Sequence, residues 1–599
     1  MATADIQVEN PPEQAPSMEV LVISNGKVKY INTNYRKTGH KMYDYKCDVK
    51  LKVGDEDFKA HREVLSEASD YFSAMFSVDM KEKKQDVIEL KEISPKGIAA
   101  ILDYFYHGYV TLEPDNIEGV IEAARFFHVD WLIDVCCDFL IRHLSLENYR
   151  DVMELQDKFC LGDLREDIFR FVGQNLEKLS QEEHFYENLS LELLMQFLME
   201  NIYTEPSEFF ILHLVLKWVK FDENNRKEHL LALLGQIRFN VMEFEELEEI
   251  PEEVLQFPEM KEAIEDAKNY CLNLMGQCMC NGEMYQQRGA KPVIAILSFT
   301  QDANLLVYRD PTKSGLFVEE LGPTGLDSAS YQAMGQGRIG NFLYAAGGYD
   351  ENYCSVARVF RFDPKYRDWT EVSPMNQSRV SFAMCYSDKR LFVIGGVTHV
   401  VDENGVESEN VLSSVEMYNP EENSWRYLQD IPIKSSSMGA VYANGNLYIS
   451  GGISCDPDDP VPLNTTWSLN VDSSEGWVPK QNMLNGRHGH SLTVHGGKIY
   501  AIGGLTVNED RITFKDQVIN ETYDLETGQW TEIAPTPEAF GHLYPYCEVL
   551  YNTLFVMGGI HVSANLYTYD PESDSWDECE VIGPNVQKLA ALNVAYPSC

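Results

Sequence analysis

The segment "SLTVHGGKIYAIGGL", residues 491–505, runs as a short alternating apolar stretch into a glycine pair, Gly503-Gly504, where a polar loop begins. Glycine weakens a strand, so a pair at a strand end marks a bend or a close approach of backbone. The same device recurs at "LYAAGG" (347–348), "LFVIGG" (395–396), "LYISGG" (451–452) and "LFVMGG" (558–559), at successive intervals of 48, 56, 52 and 55 residues. A second landmark keeps step with it. Phe362 precedes Trp369, Tyr418 precedes Trp425, Tyr523 precedes Trp530 and Tyr569 precedes Trp576, each by seven residues. The block holding Trp477 carries Asn470 at the aromatic position. Self-similarity near 50 residues with these markers predicts four-stranded propeller blades. Counting back from Gly347 finds a degenerate first blade in "PVIAILSFTQDANLLVY", which makes six. The terminal pattern "VQKLAALNVAY" (586–596) has no blade of its own and is expected to pair with the strand at 292–299, closing the ring and removing a sheet edge. The glycine pairs would let strands bend near the axis, with Tyr and Trp filling the space between blades.

Outward from the repeats the period changes. From about 45 to 275 apolar residues fall at helical spacing, as in "NLSLELLMQFLMEN" (188–201) and "SEFFILHLVLKWVKF" (207–221), and the change comes near "MCNGEMYQQRGAKP" (279–292). The 599 residues carry a formal charge of −45, and a nucleic-acid binder would show a basic face instead. No apolar run reaches the ~20 residues of a membrane span. The first twenty residues lack the basic and apolar regions of a signal peptide, and thirteen scattered cysteines suggest reduced thiols. The reading is a soluble protein of the cytoplasm, with the nucleus and the cytoskeleton left open, that binds no nucleic acid and inserts in no membrane.

Other motifs carry little chemistry. "GQGRIG" (335–340) matches a dinucleotide fingerprint but is followed by a strand where a helix is required, and is read as a loop entering a blade. "HGH" (His488, His490) is read as part of an alternating strand with both rings on one face and no third ligand. Cys278 and Cys280 lack further ligands at zinc spacing. "EFEELEEIPEE" (243–253) reads as a solvated helix end. No nucleophile–base set converges, so no cofactor, metal or catalytic residue is expected and the chain is read as non-catalytic.

The repeats resemble the kelch repeat. "CDVKLKVGDEDFKAHREVLSEASDYFSAMF" (47–76), with Asp48-Val49, His61, Val64-Leu65, Ser69 and Tyr71-Phe72, resembles a BTB/POZ domain, as does "ILDYFYHGYVTL" (101–112). Residues from about 145 to 255, with Glu208 and Trp218 and then "LLGQIRFNVM" (233–242), resemble a BACK domain. The order identifies the chain as a member of the kelch-like family. The fold class implied is multidomain: an α/β BTB domain, an all-α BACK domain and an all-β six-bladed kelch propeller. The expected bounds are an extension over 1–40, BTB over 41–143, BACK over 144–275, a linker over 276–290 and the propeller over 291–599. The resemblance implies a substrate-recognition adaptor of a cullin-3 RING ubiquitin ligase, with a BTB homodimer gripping the cullin and the propeller selecting a protein substrate. The family's apolar-x-Glu cullin motif falls on Met80 and Glu82. A scaffold that organises filaments or complexes without ubiquitination is the competing reading. One departure concerns the dimer: where family members carry an amphipathic helix before the Asp-Val strand, "VISNGKVKYI" gives an Asn-Gly hairpin signal with no helical stripe after it.

Alternating strand direction puts the loops between second and third strands on the same face as the loops linking one blade to the next, and in the family this face holds substrate. The former are acidic: "YDEN" (349–352), "VVDENGVESEN" (400–410), "CDPDDP" (455–460, with Asp458 and Asp459) and "NEDR" (508–511). The linking loops offer Arg379, Ser436, Arg487 and His488. Added fields across a narrow mouth favour a basic partner segment, oriented by these arginines; alternatively the arginines pin the acidic loops.

Overall fold

The computed structural model describes residues 18–594 apart from 25–26, 33–46, 78–79, 92, 183, 202–205, 281, 299–303, 309–317, 324–333, 351, 402–406, 455–460, 509–512, 538–544, 561–562 and 584–585. The chain forms two compact units, Met1–Ser190 with Thr204–Pro206, and Leu191–Tyr203 with Ser207–Cys599. No described helix is long and apolar enough to cross a membrane.

The first unit is α/β. Val49–Val53 pairs antiparallel with Glu56–Ala60 and parallel with Val87–Leu90. Helices Arg62–Ala68, Asp70–Met75, Pro95–His107, Ile117–Phe126 and Asp130–Arg142 follow, and after them come Tyr149–Phe159, Gly162–Leu179 and the short Phe185–Asn188. Local sequence sets the ends of the third: the Ser94 hydroxyl accepts from Gly97 N at 2.9 Å, Pro95 sits in its first turn, and Gly108 ends it at φ 71°. Phe72, Phe105 and Phe127 fill the core, with Phe72 stacked on Phe127 at 4.7 Å. Met18–Ser24 and Lys27–Asn32 form the hairpin that Asn25-Gly26 signals, and the second strand pairs with Tyr109–Leu112. Residues 18–32 therefore add strands to this unit, where an extension over 1–40 was expected. The stretch in which a helix was sought, 33–46, lies outside the described residues.

The second unit joins helices to a ring of six four-stranded sheets. Blade 1 is Val586–Val594, Lys291–Ser298, Asn304–Tyr308 and Val318–Pro323, inner to outer. The C-terminal strand thus pairs antiparallel with Lys291–Ser298, as its lone pattern requires. Blades 2 to 6 have innermost strands Gly335–Ile339, Ala383–Tyr386, Gly439–Ala443, Ser491–His495 and Tyr546–Leu550, which neighbour one another in turn and return to blade 1. "GQGRI" is accordingly the innermost strand of blade 2 rather than a loop; a Cβ on Gly335 would meet the Phe382 ring of blade 3 at 2.5 Å.

The glycine pairs solve a contact problem between backbones. Gly347, Gly395, Gly451 and Gly503 have φ of 60–68°, and their successors 91–97°. A Cβ on Gly347 would lie 2.6 Å from Arg379 O and one on Gly395 2.9 Å from Ser435 O, while Gly451 would meet Arg487 O. Each of these carbonyls belongs to the loop entering the next blade. Gly348 N and Gly452 N donate to Arg379 O and Arg487 O at 3.2 and 2.9 Å. The pair therefore lets one blade hydrogen-bond to the next through bare backbone. The tryptophans act toward the blade before: Trp425, Trp477, Trp530 and Trp576 donate Nε1 to Ser373 O, Gln429 O, Gln481 O and Ala534 O. In blade 4 the aromatic position is filled by Leu469, which pairs with Leu447 as Tyr418 pairs with Leu391. Counting seven back from Trp477 lands on Asn470 because this turn is one residue longer.

Residues 276–290, expected as a polar linker, form a packed joint. Cys278 is fully buried among Tyr344, Tyr418 and Trp425, and Arg361 of blade 2 donates to Leu274 O. Arg288 donates to Glu208 Oε1 at 2.6 Å, to Leu198 O at 2.6 Å and to Gln236 O at 2.7 Å, with both ionic side chains buried. Arg238 adds bonds to Gln286 O and Asn201 Oδ1. Glu243, read as solvated, accepts from Tyr366 Oη at 2.9 Å and pairs with Lys365.

Alanine at Gly451 and at Gly445 meets the same left-handed backbone, which costs roughly 1–2 kcal/mol, but Gly445 has open space around its Cβ position. Gly451→Ala should lower the midpoint of urea unfolding distinctly more than Gly445→Ala; equal losses would mean that the interblade approach does not matter.

Candidate functional site

Strands in each blade alternate in direction, so the linking loops and the loops between second and third strands share one face. The turns between first and second and between third and fourth strands lie on the other. The helical joint takes the latter: Lys365 and Tyr366 stand in the turn between the third and fourth strands of blade 2. The linking-loop face is the opposite one.

On that face, equivalent residues Ser381, Ser437 and Gly489 all have left-handed φ, of 50°, 52° and 64°. Ser437 N donates to Ser381 O at 2.8 Å and Gly489 N to Ser437 O at 2.6 Å, a backbone chain along the rim. Inside lies a cavity of about 600 Å³ lined by the innermost strands. Tyr386 of blade 3 donates across it to Glu548 of blade 6 at 3.0 Å, and Arg338 of blade 2 donates to Tyr386 Oη at 3.3 Å. Blades 3 and 6 face each other across the ring, so this trio bars the channel. No local sequence signal connects three residues on three separate blades.

Arg379 and Arg487 are not on the surface. Both have no exposed area. Arg379 donates to Gly395 O, Ser414 O and Glu416; Arg487 donates to Gly503 O, Ile519 O and, at 2.5 Å, Glu521. Glu416 also accepts from Asn376 N, and Glu521 from Leu484 N and Asn485 N. Burial lowers both guanidinium pKa values against the pull of the glutamates, yet an arginine stays charged. Each pair clamps a linking loop onto the third strand of the blade it enters. Placing these arginines among substrate-contacting residues is corrected by this geometry: the pinning role is the one they have, and what they pin is the linking loop. A repeated Arg sixteen residues before a glycine pair was the available signal.

Ser436 is half-buried on this face, its short strand paired with Ile453–Ser454. Asp458 and Asp459 lie outside the described residues. His488 and His490 precede the strand Ser491–His495, and the turn at Gly489 parts them. His490 hydrogen-bonds Ser450 Oγ of blade 4 at 3.0 Å, whereas the His488 ring meets Phe514 edge-on at 4.9 Å. His488 is buried, and neither ring nitrogen has a hydrogen-bond partner among the described residues. Burial holds this imidazole down at about 4, so it is neutral near pH 7.

In the first unit Met80 is half exposed, between helix Asp70–Met75 and the single turn Lys81–Lys84 that contains Glu82. An exposed methionine is an adaptable apolar contact.

Family models match in the same order along the chain: a BTB/POZ domain at residues 40–144, a BTB And C-terminal Kelch domain at 150–252, a Kelch motif at 338–376 and a KLHDC2/KLHL20/DRC7 Kelch-repeats domain at 404–595. Kelch-like protein 15 of Homo sapiens is 26% identical over 584 residues, covering 92% of this chain and 93% of its own. Kelch-like protein 26 of Danio rerio is 27% identical over 550 residues, with coverage of 88% and 87%. Kelch-like protein 36 of Mus musculus is 27% identical over 573 residues, with coverage of 91% and 88%.

Below the ordinary histidine pKa of ~6.5 the unfolded chain binds a proton that native His488 refuses until about 4. Stability therefore falls as pH falls through that window. Val380 occupies the equivalent position in blade 3. His488→Val should recover ~2 kcal/mol of stability at pH 5 relative to pH 7.5, read from urea unfolding at the two pH values. An unchanged difference between the two pH values would show that His488 is protonated in the fold.

Proposed function

The chain belongs to the kelch-like family of BTB–BACK–kelch proteins, and from that footing we propose that it is the substrate receptor of a cullin-3 RING ubiquitin ligase. The succession of BTB domain, BACK domain and propeller along one chain carries the reading. The BTB domain, as a homodimer, binds the cullin with Met80 as apolar anchor and Glu82 as a rim contact. BACK extends that grip. The linking-loop face of the propeller binds a protein substrate, and the chemistry of ubiquitin transfer belongs to the recruited partners. The joint supports this division, since it fixes helices to the propeller face opposite the linking loops.

The substrate segment is basic. The loops at 400–410 and 455–460 contain acidic residues and no lysine or arginine, and low-dielectric walls around a mouth strengthen their combined field. Ser436 and His488 stand on the same face.

Co-purification with cullin-3 tests the first half. Wild type should retain cullin-3 and Met80→Ala/Glu82→Ala should lose it at an unchanged melting temperature. A folded wild type that retains none would favour a scaffold. For the second half, Asp458→Lys/Asp459→Lys should weaken substrate binding most at low ionic strength, the difference shrinking as salt rises. Binding that ignores both the charge reversal and the salt would remove the basic-substrate reading.

A further inference from the structure

The two clamps give a comparison within one molecule. Asn376 N bonds Glu416 as Leu484 N bonds Glu521, and Arg379 reaches Ser414 O as Arg487 reaches Ile519 O. The hairpins outside them match as well: His399 pairs with Glu409 in blade 3 and Val507 with Phe514 in blade 5. The backbone is thus the same while the side chains differ in kind. Around the blade 3 clamp stand Asn376, Ser413, Ser414 and Glu409; the matching positions in blade 5 are Leu484, Val518, Ile519 and Phe514. All four of the latter are among the exposed large apolar residues, Leu484 at 52% and Phe514 at 36%. Beneath them the preference is inverted. Blade 3 buries Val380, and blade 5 buries His488 with both nitrogens unpartnered among the described residues.

Neither oddity is required by the clamp, because blade 3 builds the same clamp without them. Exposed apolar groups gain by being covered, and a buried imidazole with no partner gains by receiving one. One event satisfies both: another surface closing over blade 5. We propose that Leu484, Phe514, Val518 and Ile519, with His488 beneath, form an apolar anchor site for a basic protein segment that carries exposed apolar side chains. The partner's basic character follows from charge complementarity: the chain carries a formal charge of −45, and the segments 400–410 and 455–460 hold seven carboxylates with no lysine or arginine. The anchor rests on the substrate-receptor reading and adds to it a substrate class. Lysines and arginines supply long-range attraction, and an apolar side chain seated on blade 5 supplies most of the affinity, as buried anchors do. His488 receives a hydrogen bond from the segment's backbone or from a hydroxyl.

The test uses full-length protein and a random peptide library displayed on phage. Selected peptides should combine Lys or Arg with at least one Leu, Phe, Tyr or Trp. A variant carrying the blade 3 residues on blade 5 (Leu484→Asn, Phe514→Glu, Val518→Ser and Ile519→Ser) should bind them at least ~10-fold more weakly. Leu484→Asn alone, at the most exposed of the four, gives the same direction if the fourfold variant fails to fold. His488→Val should bind more weakly while being no less stable, which a merely structural histidine would not do. Selected peptides without apolar residues, or peptides indifferent to the blade 5 changes, would overturn the anchor. Met80→Ala/Glu82→Ala should bind the peptides as wild type does, so failure of the cullin contact and failure of the anchor are read separately.

Discussion

The propeller face depends on a guanidinium and a carboxylate that meet with no water between them. An isolated buried charge would be prohibitively costly, and even a buried pair breaks even only when its remaining hydrogen-bonding capacity is used. Here it is used. Arg487 takes two carbonyls and a carboxylate, while Glu521 takes the guanidinium and two loop amides. The pair is thereby the node at which a linking loop, a glycine pair and the third strand of a blade are joined. Losing one partner would leave the other charged and buried, a cost of about 3–5 kcal/mol. Without the node the loop has no fixed path, the rim formed by Ser437 and Gly489 has no fixed spacing, and the residues displayed on the loop have no fixed address.

This dependence explains which parts of the molecule could be read in advance. Glycine pairs and the Tyr–Trp interval are local signals with a period, and they gave the blade number and the closing strand. The arginines were visible as residues but not as a clamp, because Glu416 and Glu521 lie more than thirty residues downstream and on a different strand. An exposed loop position is the natural expectation for an arginine next to serine or histidine; only the backbone path shows that the side chain turns inward. The histidines were misplaced for a related reason. Alternation through "HGHSL" continues on paper, while Gly489 at φ 64° reverses the chain and sends the two rings to different neighbours. Asn470 was misassigned by one residue because spacing cannot register a longer turn, whereas strand pairing can.

The joint at 276–290 was hidden in the same way. Its composition is polar and glycine-containing, which is what a solvated linker looks like. Yet Arg288 there finds Glu208 eighty residues earlier, and Cys278 enters the apolar space between blades. Composition reports what a segment could do in water and is silent on partners brought by the fold.

Equivalent positions in repeats offer a remedy that single motifs do not. Where two blades share a backbone device, positions that the device itself dictates carry the same residue: Arg379 and Arg487, Glu416 and Glu521. Positions around that ion pair differ between the two blades. Blade 3 fills them with polar groups that find partners within the protein, Asn376 with Glu416 and Ser413 with Asp430 among them, and blade 5 with exposed apolar side chains. The divergence lies on the linking-loop face, opposite the helical joint that holds Lys365 and Tyr366 of blade 2. A difference of this kind, between two copies of one local structure in one chain, separates what folding needs from what it merely permits, and the residue left over on blade 5 is the surface's own chemistry.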